Sequence, residues 1–249
     1  MFTRSPLKQK SLVTLFLILL APCSFAQSSL DEKLLLASPD VIAADAELNA
    51  HMEGLAQTAI NDHCAACHGA DLTGQTGVPN LVDFDWIWGV TGFEMTQAEV
   101  VFEIMQTILY GVRNVDCPDD IKRYGGCPDT RFSQMPAYTE LNFTEAQLNG
   151  MVDYVYSLAG RDHDAVAVEQ VAGLTELCVE CHGDTGAGYK PFGGPDLTDD
   201  VWLFGDSREL IMDVIANGIT ESCPAWNTVL SAASIKALSV YIYNQSMGY

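Results

Sequence analysis

The chain of 249 residues contains the pattern Cys-x-x-Cys-His twice, at residues 64–68 and 178–182. The sequence around the two motifs repeats as well. Gly-Val-Pro-Asn-Leu at 77–81 corresponds to Gly-Pro-Asp-Leu at 194–197, and a segment containing tryptophan follows each of them. A duplicated unit in a chain of this length indicates two tandem domains, each built around its own cysteine motif.

Both units continue with two helical patterns, which are separated by a short Pro-Ala-aromatic signature. The apolar spacing predicts helices over 97–110 and 145–158 in the first unit and over 207–217 and 233–244 in the second. Another predicted helix, over 46–62, leads into the first motif. Because no segment shows sustained alternation of period two, the expected fold class is all-α with long ordered loops.

The first 26 residues predict a secretory signal peptide. Arg4, Lys8 and Lys10 precede a short apolar run over 12–20, and a small residue directly precedes the expected cleavage after Ala26. An uncleaved anchor is the alternative, although a span takes about 20 apolar residues. No later segment is long and apolar enough to cross a membrane, so we expect a periplasmic mature chain without a membrane span.

Cys-x-x-Cys-His is the attachment signature of c-type haem. Two thiols on one helical turn face one porphyrin edge and add across its vinyl groups, and the adjoining histidine binds the iron. Zinc would require both cysteine pairs to converge on one metal, and disulfides within the pairs would leave the histidines unexplained. The sequence therefore predicts two covalently bound c-type haems. The predicted attachment sites and iron ligands are Cys64, Cys67 and His68 for haem 1 and Cys178, Cys181 and His182 for haem 2.

The repeat divides the chain into two predicted cytochrome c domains. Residues 27–160 are expected to form domain 1 with haem 1, and residues 171–249 to form domain 2 with haem 2. Residues 161–170 have weak periodicity and several charges, so we expect them to be the linker.

Each iron needs a sixth ligand unless it is an open site, and the Pro-Ala-aromatic signature indicates where to find it. Met135 stands before the signature in the first unit, although methionine also fills cores. Cys223 stands at the corresponding position in the second unit, with a disulfide as the competing interpretation. A thioether favours ferrous iron and raises the potential, whereas a thiolate stabilises ferric iron and lowers it.

The cysteine count supports this assignment. Cys23 leaves with the signal peptide and four of the remaining seven cysteines hold haem, so that Cys117, Cys127 and Cys223 remain. Cys117 and Cys127 lie in a segment that is extra relative to the second unit. A disulfide between them would staple this insertion and leave Cys223 free beside an iron.

Pro79 and Pro195 lie in corresponding loops after the two motifs. A backbone carbonyl there could accept the Nδ1–H of His68 or His182, a contact that orients an axial imidazole. An ordinary proline turn is the alternative.

The two units resemble tandem class I cytochrome c domains, in particular the soluble part of the dihaem c-type subunit III of cbb3 haem-copper oxidases. The resemblance rests on both motifs, on 77–81, on Pro-Asp-Leu-Thr-Asp-Asp at 195–200 and on Met-Pro-Ala-Tyr at 135–138. It implies two haems, each held by histidine and methionine, electron transfer between them, and an N-terminal membrane helix. The chain departs from that pattern at its predicted signal peptide and at Cys223.

These features favour a periplasmic dihaem electron carrier with a high-potential His68/Met135 haem and a low-potential His182/Cys223 haem. The alternatives are an enzyme that oxidises a sulfur compound at the cysteine-ligated haem, as in thiosulfate dehydrogenases, and a redox or gas sensor. An excess of acids over bases, 33 against 12, excludes a nucleic-acid binder that neutralises phosphates. The same acidity predicts a redox partner with a basic docking surface, with solubility alone as the alternative.

Overall fold

The computed structural model describes residues 21–88, 95–123 and 126–247, with side chains from Ser29 onward. Residues 1–20 of the predicted signal peptide lie outside this range. Over the described ranges the chain is helical and has isolated β-bridges but no β-strand, which confirms the all-α prediction. No helix in this part of the chain is both long and apolar enough to cross a membrane. The α-helices are α1 (Ala21–Leu36), α2 (Pro39–Ala44), α3 (Ala46–Ala59), α4 (Ala65–His68), α5 (Gln97–Tyr110), α6 (Glu145–Leu158), α7 (Ala165–Val171), α8 (Glu176–His182), α9 (Arg208–Asn217) and α10 (Ala232–Met247).

Helices α1, α2, α3, α5 and α10 pack together, and we call them the first cluster. Helix α3 begins where the carboxylate of Asp45 accepts hydrogen bonds from the backbone N–H groups of Glu47 and Leu48. One face of α3 is then buried against α10, which also packs on α5 and α1. The shared core is aliphatic, and its members include Ile42, Met52, Val101, Ile104, Ile235 and Leu238.

Helices α6, α7 and α9 pack together in the other part of the molecule, and α8 lies beside their core through the contact of Cys178 with Tyr138; we call these four helices the second cluster. Thr144 and Gln147 form the capping box at the start of α6, with each side chain bonded to the other residue's backbone N–H. The apolar face of α6 is buried against α7 and α9. A two-pronged ion pair between Asp153 of α6 and Arg208 of α9, with N–O distances of 2.7 and 2.9 Å, joins the same helices.

The two clusters exchange their closing helices. Helix α6 belongs to the first repeat but packs in the second cluster, and α10 belongs to the second repeat but packs against α3 in the first cluster. The expected domain boundaries, 27–160 and 171–249, therefore do not coincide with the clusters. The repeat to which a closing helix belongs therefore does not decide the cluster in which it packs.

The segment expected to be the linker, residues 161–170, contains most of a helix. Asp164 accepts hydrogen bonds from the backbone N–H groups of Val166 and Ala167 and so caps α7. Val171 at its other end is buried beside Gly150, where the missing side chain lets α7 approach α6 closely. The helix forms here because packing against α6 compensates for its weak local periodicity.

Candidate haem sites

The first motif lies where the chain leaves α3. Residues Ile60–Cys64 form a single wide turn, α4 follows over Ala65–His68, and Gly69 ends it with a φ of +79°. A left-handed conformation of this kind suits glycine, which has no Cβ to clash. Nδ1 of His68 lies 2.9 Å from the carbonyl oxygen of Pro79. The chain thus holds this imidazole by one nitrogen and leaves Nε2 available.

The second motif repeats this geometry at the end of α8. Gly183 ends the helix with a φ of +75°, and Nδ1 of His182 lies 2.9 Å from the carbonyl oxygen of Pro195. A Cβ on Gly194 would collide with the carbonyl group of Cys181, so the loop can touch the motif only because glycine stands there. Both loops that the sequence singles out therefore lie against their histidines.

Burial sets the protonation of the two histidines. It lowers the pKa of His68 and of His182, and the hydrogen bonds to the proline carbonyls oppose this only in part. Both imidazoles are consequently neutral near pH 7, the form that binds a metal. The carbonyl contact also fixes the tautomer, because the proton on Nδ1 leaves the Nε2 lone pair free.

The four motif cysteines are not joined to one another by disulfides. Burial raises the pKa of Cys64 to about 11, and the neighbouring Cys223 and Cys67 raise it further in the same direction. Burial likewise raises the pKa of Cys178, while a hydrogen bond with Tyr138 opposes the rise. All four positions thus offer thiols that are free to form thioethers.

Cys223 lies beside the first motif, not the second. Its electrostatic neighbours are Cys64 and Cys67. Its backbone pairs with Val112 just after α5, with N–O distances of 3.0 Å in both directions. Three residues further on, the ring of Trp226 lies 5.1 Å from the ring of His63, next to Cys64. The whole Cys-Pro-Ala-Trp segment is therefore anchored in the first cluster.

Met135 lies with the second motif. Its carbonyl oxygen accepts a hydrogen bond of 3.1 Å from the backbone N–H of Ile219, which follows α9. The side chain of Met135 packs against the core of the second cluster. Three residues later, Tyr138 is hydrogen-bonded to the thiol of Cys178.

The arrangement differs from the pairing expected from sequence order. The sequence predicts Met135 for the site of His68 and Cys223 for the site of His182, but Cys223 lies beside Cys64 and Cys67 of the first motif, and Met135 packs against the core of the second cluster. The reason is the exchange of closing helices. Met135 and Cys223 each lie about ten residues before a closing helix, and the segment that contains each of them therefore follows that helix into the opposite cluster.

Cys117 and Cys127 form a disulfide, with a Cα–Cα distance of 5.8 Å. It closes the insertion of the first unit and leaves Cys223 as a free cysteine. Among the described residues, no three His, Cys, Asp or Glu side chains are grouped as a zinc site between the motifs would require.

One buried group bears directly on whether a haem fits the second site. The indole N–H of Trp202 is buried and has no hydrogen-bond partner within the described part of the chain. Trp202 lies against the same core as Leu197 and Met135. A buried donor without an acceptor costs about 1–3 kcal/mol, and a haem carboxylate would supply the acceptor. With the free thiols and neutral histidines, the residues present fit a covalent haem.

The loops that carry the two prolines pack on each other. The backbone N–H of Gly77 donates to the carbonyl oxygen of Leu203 over 2.8 Å. Carboxylates from both loops gather nearby. Burial raises the pKa of Asp85 to about 6, and Asp199, Asp83 and Asp196 contribute by repulsion. The junction between the corresponding loops is therefore a place where negative charge is concentrated.

Sequence reasoning missed three residues around the sites. Trp226 and Tyr138 occupy the aromatic position of the Pro-Ala-aromatic signature, so the repeat itself contained that signal. Arg113 is the third: its guanidinium interacts electrostatically with Cys223 and Glu221. It lies two residues after the glycine that ends α5, at the position where the second unit has Thr220, so the repeat itself did not single it out.

Comparison with known proteins gives the following findings. Residues 170–242 match the family model described as cytochrome c oxidase, cbb3-type, subunit III. The cbb3-type cytochrome c oxidase subunit FixP of Bradyrhizobium sp. is 36% identical over 214 residues, which are 82% of this chain and 66% of the relative. The subunit CcoP of Azospirillum sp. is 34% identical over 219 residues, 85% of this chain and 68% of the relative. CcoP of Cereibacter sphaeroides is 29% identical over 90% of this chain and 71% of the relative. The chain thus spans about two thirds of the length of these relatives.

Proposed function

The chain belongs to the family of the cbb3-type cytochrome c oxidase subunits FixP and CcoP, and we propose that it is a dihaem c-type cytochrome that passes electrons between redox partners. Membership implies covalently bound c-type haem. The finer proposals concern the number of haems, their ligands and the direction of electron flow.

One observation carries the proposal of two haem sites. Both motif histidines are neutral and are held through Nδ1 by a proline carbonyl, in two corresponding loops. This is the contact that orients an imidazole toward a metal. We assign Cys64 and Cys67 to the covalent attachment of haem 1, and Cys178 and Cys181 to that of haem 2.

The proposed sixth ligands cross between the repeats. Cys223 would bind at the first site with His68, and Met135 at the second site with His182. Support comes from the neighbours of each residue: Cys223 interacts with Cys64, and the segment after Met135 reaches Cys178 through Tyr138. This pairing replaces the one expected from the order of the residues.

A c-type haem supplies a one-electron couple, and the protein ligands set its potential. A thiolate at the first site lowers the potential there, whereas a thioether at the second site raises it. Spontaneous transfer would therefore run from the N-terminal motif to the second motif, which is the opposite of the direction that sequence order suggests.

The location and partner follow from charge. A signal peptide ending at Ala26 would direct the chain to the periplasm, and its removal would leave nine basic against 33 acidic residues, a formal charge of −24. A surface this acidic attracts a basic redox partner, with rates that fall as salt screens the attraction. The loop junction around Asp85 and Asp199 concentrates this charge near the two sites.

The sulfur-oxidising alternative has one observation in its favour. Arg113 supplies a positive charge close to Cys223, which an anionic sulfur substrate would need. Its Nε–H and one Nη1–H are already donated to backbone carbonyls, however, so we prefer the electron carrier. Catalytic turnover of thiosulfate by the purified protein would reverse this preference.

The test uses the full chain, matured with haem in a periplasmic expression host. Alkaline pyridine haemochrome absorption should give two haems per chain, and a redox titration followed by optical and EPR spectra should give two one-electron couples. The ferric protein should show one thiolate-ligated and one thioether-ligated haem. A single haem per chain, or two haems with the same ligands and potential, would contradict the proposal.

A further inference from the structure

The insertion of the first unit is fastened at its base. The carbonyl oxygen of Gly111 accepts hydrogen bonds from the backbone N–H of Arg131 and from the hydroxyl of Thr130, over 2.9 and 3.1 Å. The carbonyl oxygen of Asn114 accepts a hydrogen bond of 2.7 Å from the backbone N–H of Cys127. Cys127 is also the disulfide partner of Cys117. The two ends of the insertion are thus held together by both covalent and hydrogen bonds.

Arg113 lies within this fastened base. Its backbone N–H donates to the carbonyl oxygen of Arg131 over 3.1 Å, and its φ is +50°. A left-handed conformation is uncommon for a residue with a long side chain and is kept only where the surroundings impose it. The conformation is therefore imposed by the insertion.

The guanidinium of Arg113 reaches two other segments. Nη1–H donates to the carbonyl oxygen of Ser133 over 2.9 Å, and Nε–H donates to the carbonyl oxygen of Glu221. Ser133 lies two residues before Met135, and Glu221 lies two residues before Cys223. One side chain thus bonds to both sixth-ligand segments, in each case at the residue two positions before the proposed ligand.

We propose that Arg113 is a positioning residue that holds the two sixth-ligand segments in place together, so that the ligation of one haem depends on the same contact as that of the other. The inference rests on the proposed function, because it takes Met135 and Cys223 as iron ligands. The disulfide-closed insertion then has a role: it supplies the rigid base from which the guanidinium spans the two segments.

Arginine is suited to this position by its shape. Its planar fork can donate to two acceptors in fixed directions, and it stays protonated under all ordinary conditions. Lysine carries the same charge on a single rotating ammonium group and would reach one carbonyl better than two. The conservative substitution therefore separates geometry from charge.

The experiment measures how readily an added ligand replaces each sixth ligand in the ferric full-length dihaem protein. The probe is imidazole, followed by stopped-flow absorption and identified at each haem by EPR. The variants are Arg113→Asn and Arg113→Lys, because asparagine accepts a left-handed backbone and so removes the side chain without backbone strain. Arg123→Asn is the matched control, an exposed arginine of the same insertion.

Arg113→Asn should accelerate imidazole binding at both haems by about tenfold, the equivalent of about 1.4 kcal/mol for each loosened segment. Arg113→Lys should give a smaller acceleration, and Arg123→Asn should bind imidazole as the wild type does. The wild-type spectra are recorded first: if they lack the two expected ligand sets, the proposed function fails before Arg113 is tested. If those sets are present, acceleration at one haem only, or at neither, would overturn the coupling role. If Arg113→Asn does not accumulate, Arg113→Gly, which also accepts a left-handed backbone, is measured by the same criterion.

Discussion

Substitution of Cys223 by methionine tests the crossed ligation most directly. At this position the side chain lies beside Cys64 and Cys67, and the indole N–H of Trp226 donates to its sulfur. A thioether in place of the thiolate removes a strong donor from the iron of the first site. The potential of that haem, and of no other, should rise.

The expected size of the rise in potential follows from the range of haem potentials that different axial ligands produce. Axial ligands shift haem potentials over roughly 0.8 V. The hydrogen bond from Trp226 already weakens electron donation by the thiolate, so only part of this range is expected. We therefore expect a rise on the order of 0.3 V, or about five powers of ten in the electron-transfer equilibrium at 59 mV per tenfold. The two couples should nearly coincide in the variant.

The assay must identify which haem has moved, and a second substitution provides a label. Cys64→Ser leaves one vinyl group of the first haem unreacted, which extends its conjugation and shifts its absorption to longer wavelength. Spectroelectrochemical titration of Cys64→Ser, with and without Cys223→Met, then follows the labelled haem separately. Met135→Cys is the reciprocal variant and should lower the potential of the unlabelled haem.

Two results would refute the reasoning. If Cys223→Met moves the unlabelled haem and leaves the labelled one unchanged, the ligands follow sequence order and not the crossed arrangement. If neither potential moves, Cys223 is not an iron ligand. A rise confined to the labelled haem supports the pairing of His68 with Cys223.

Three further predictions concern stability and the second site. Asp85 has its pKa raised to about 6, so the folded state holds the extra proton and stability falls as pH rises from about 4 to 6. The carboxyl of Asp85 is only partly shielded from solvent, and screening weakens the effect, so Asp85→Asn should raise the unfolding free energy at pH 7 by only about 1 kcal/mol. Asp162→Asn, at an exposed position, should leave it unchanged, and denaturant titrations at pH 4 and 7 will check both variants. Gly150→Ala would place a Cβ 2.6 Å from Val171 and should destabilise the folded protein by about 1–2 kcal/mol. The Cβ of Gly54→Ala meets nothing within 4 Å, so this variant should stabilise the folded protein by about 0.8 kcal/mol. Thermal unfolding followed by circular dichroism compares the two variants, and equal effects would contradict the packing argument. Trp202→Phe removes the indole donor and should lower the potential of the second haem only. Loss of a hydrogen bond of about 1.4 kcal/mol corresponds to roughly 60 mV. An unchanged redox titration would mean that the indole does not bind a haem carboxylate.

The helices themselves could be predicted well from the sequence. Helix α6 spans 145–158 as its apolar spacing indicates, and the capping box at Thr144 and Gln147 fixes its start. Helix α5 likewise matches the predicted 97–110. Both are long enough and periodic enough for local chemistry to fix their bounds. Helix α7 escaped prediction because its stability comes from the packing of Val171 at Gly150, which no local pattern contains.

The pairing of the sites could not be predicted for a different reason. Periodicity shows that α6 and α10 each have apolar residues to bury, but nothing local tells which motif each helix will cover. The contacts of the Pro79 and Pro195 carbonyls with the histidines were predictable because their loops are short and stay close to their own histidines. Met135 and Cys223 lie 67 and 41 residues from the preceding motif histidine, so the route of the chain decides their location.

The exchange of closing helices also sets an order of events during synthesis and export. Helix α3 beside the first motif is covered mainly by α10, which is made after every helix of the second cluster. Until then the first motif belongs to an open chain, with Cys64 and Cys67 accessible. The second motif can gather α6 and α9 earlier, since all its helices lie within residues 145–217. We therefore expect haem attachment at the N-terminal motif to have the longer time window. The first cluster would finish folding last, although its motif is synthesised first.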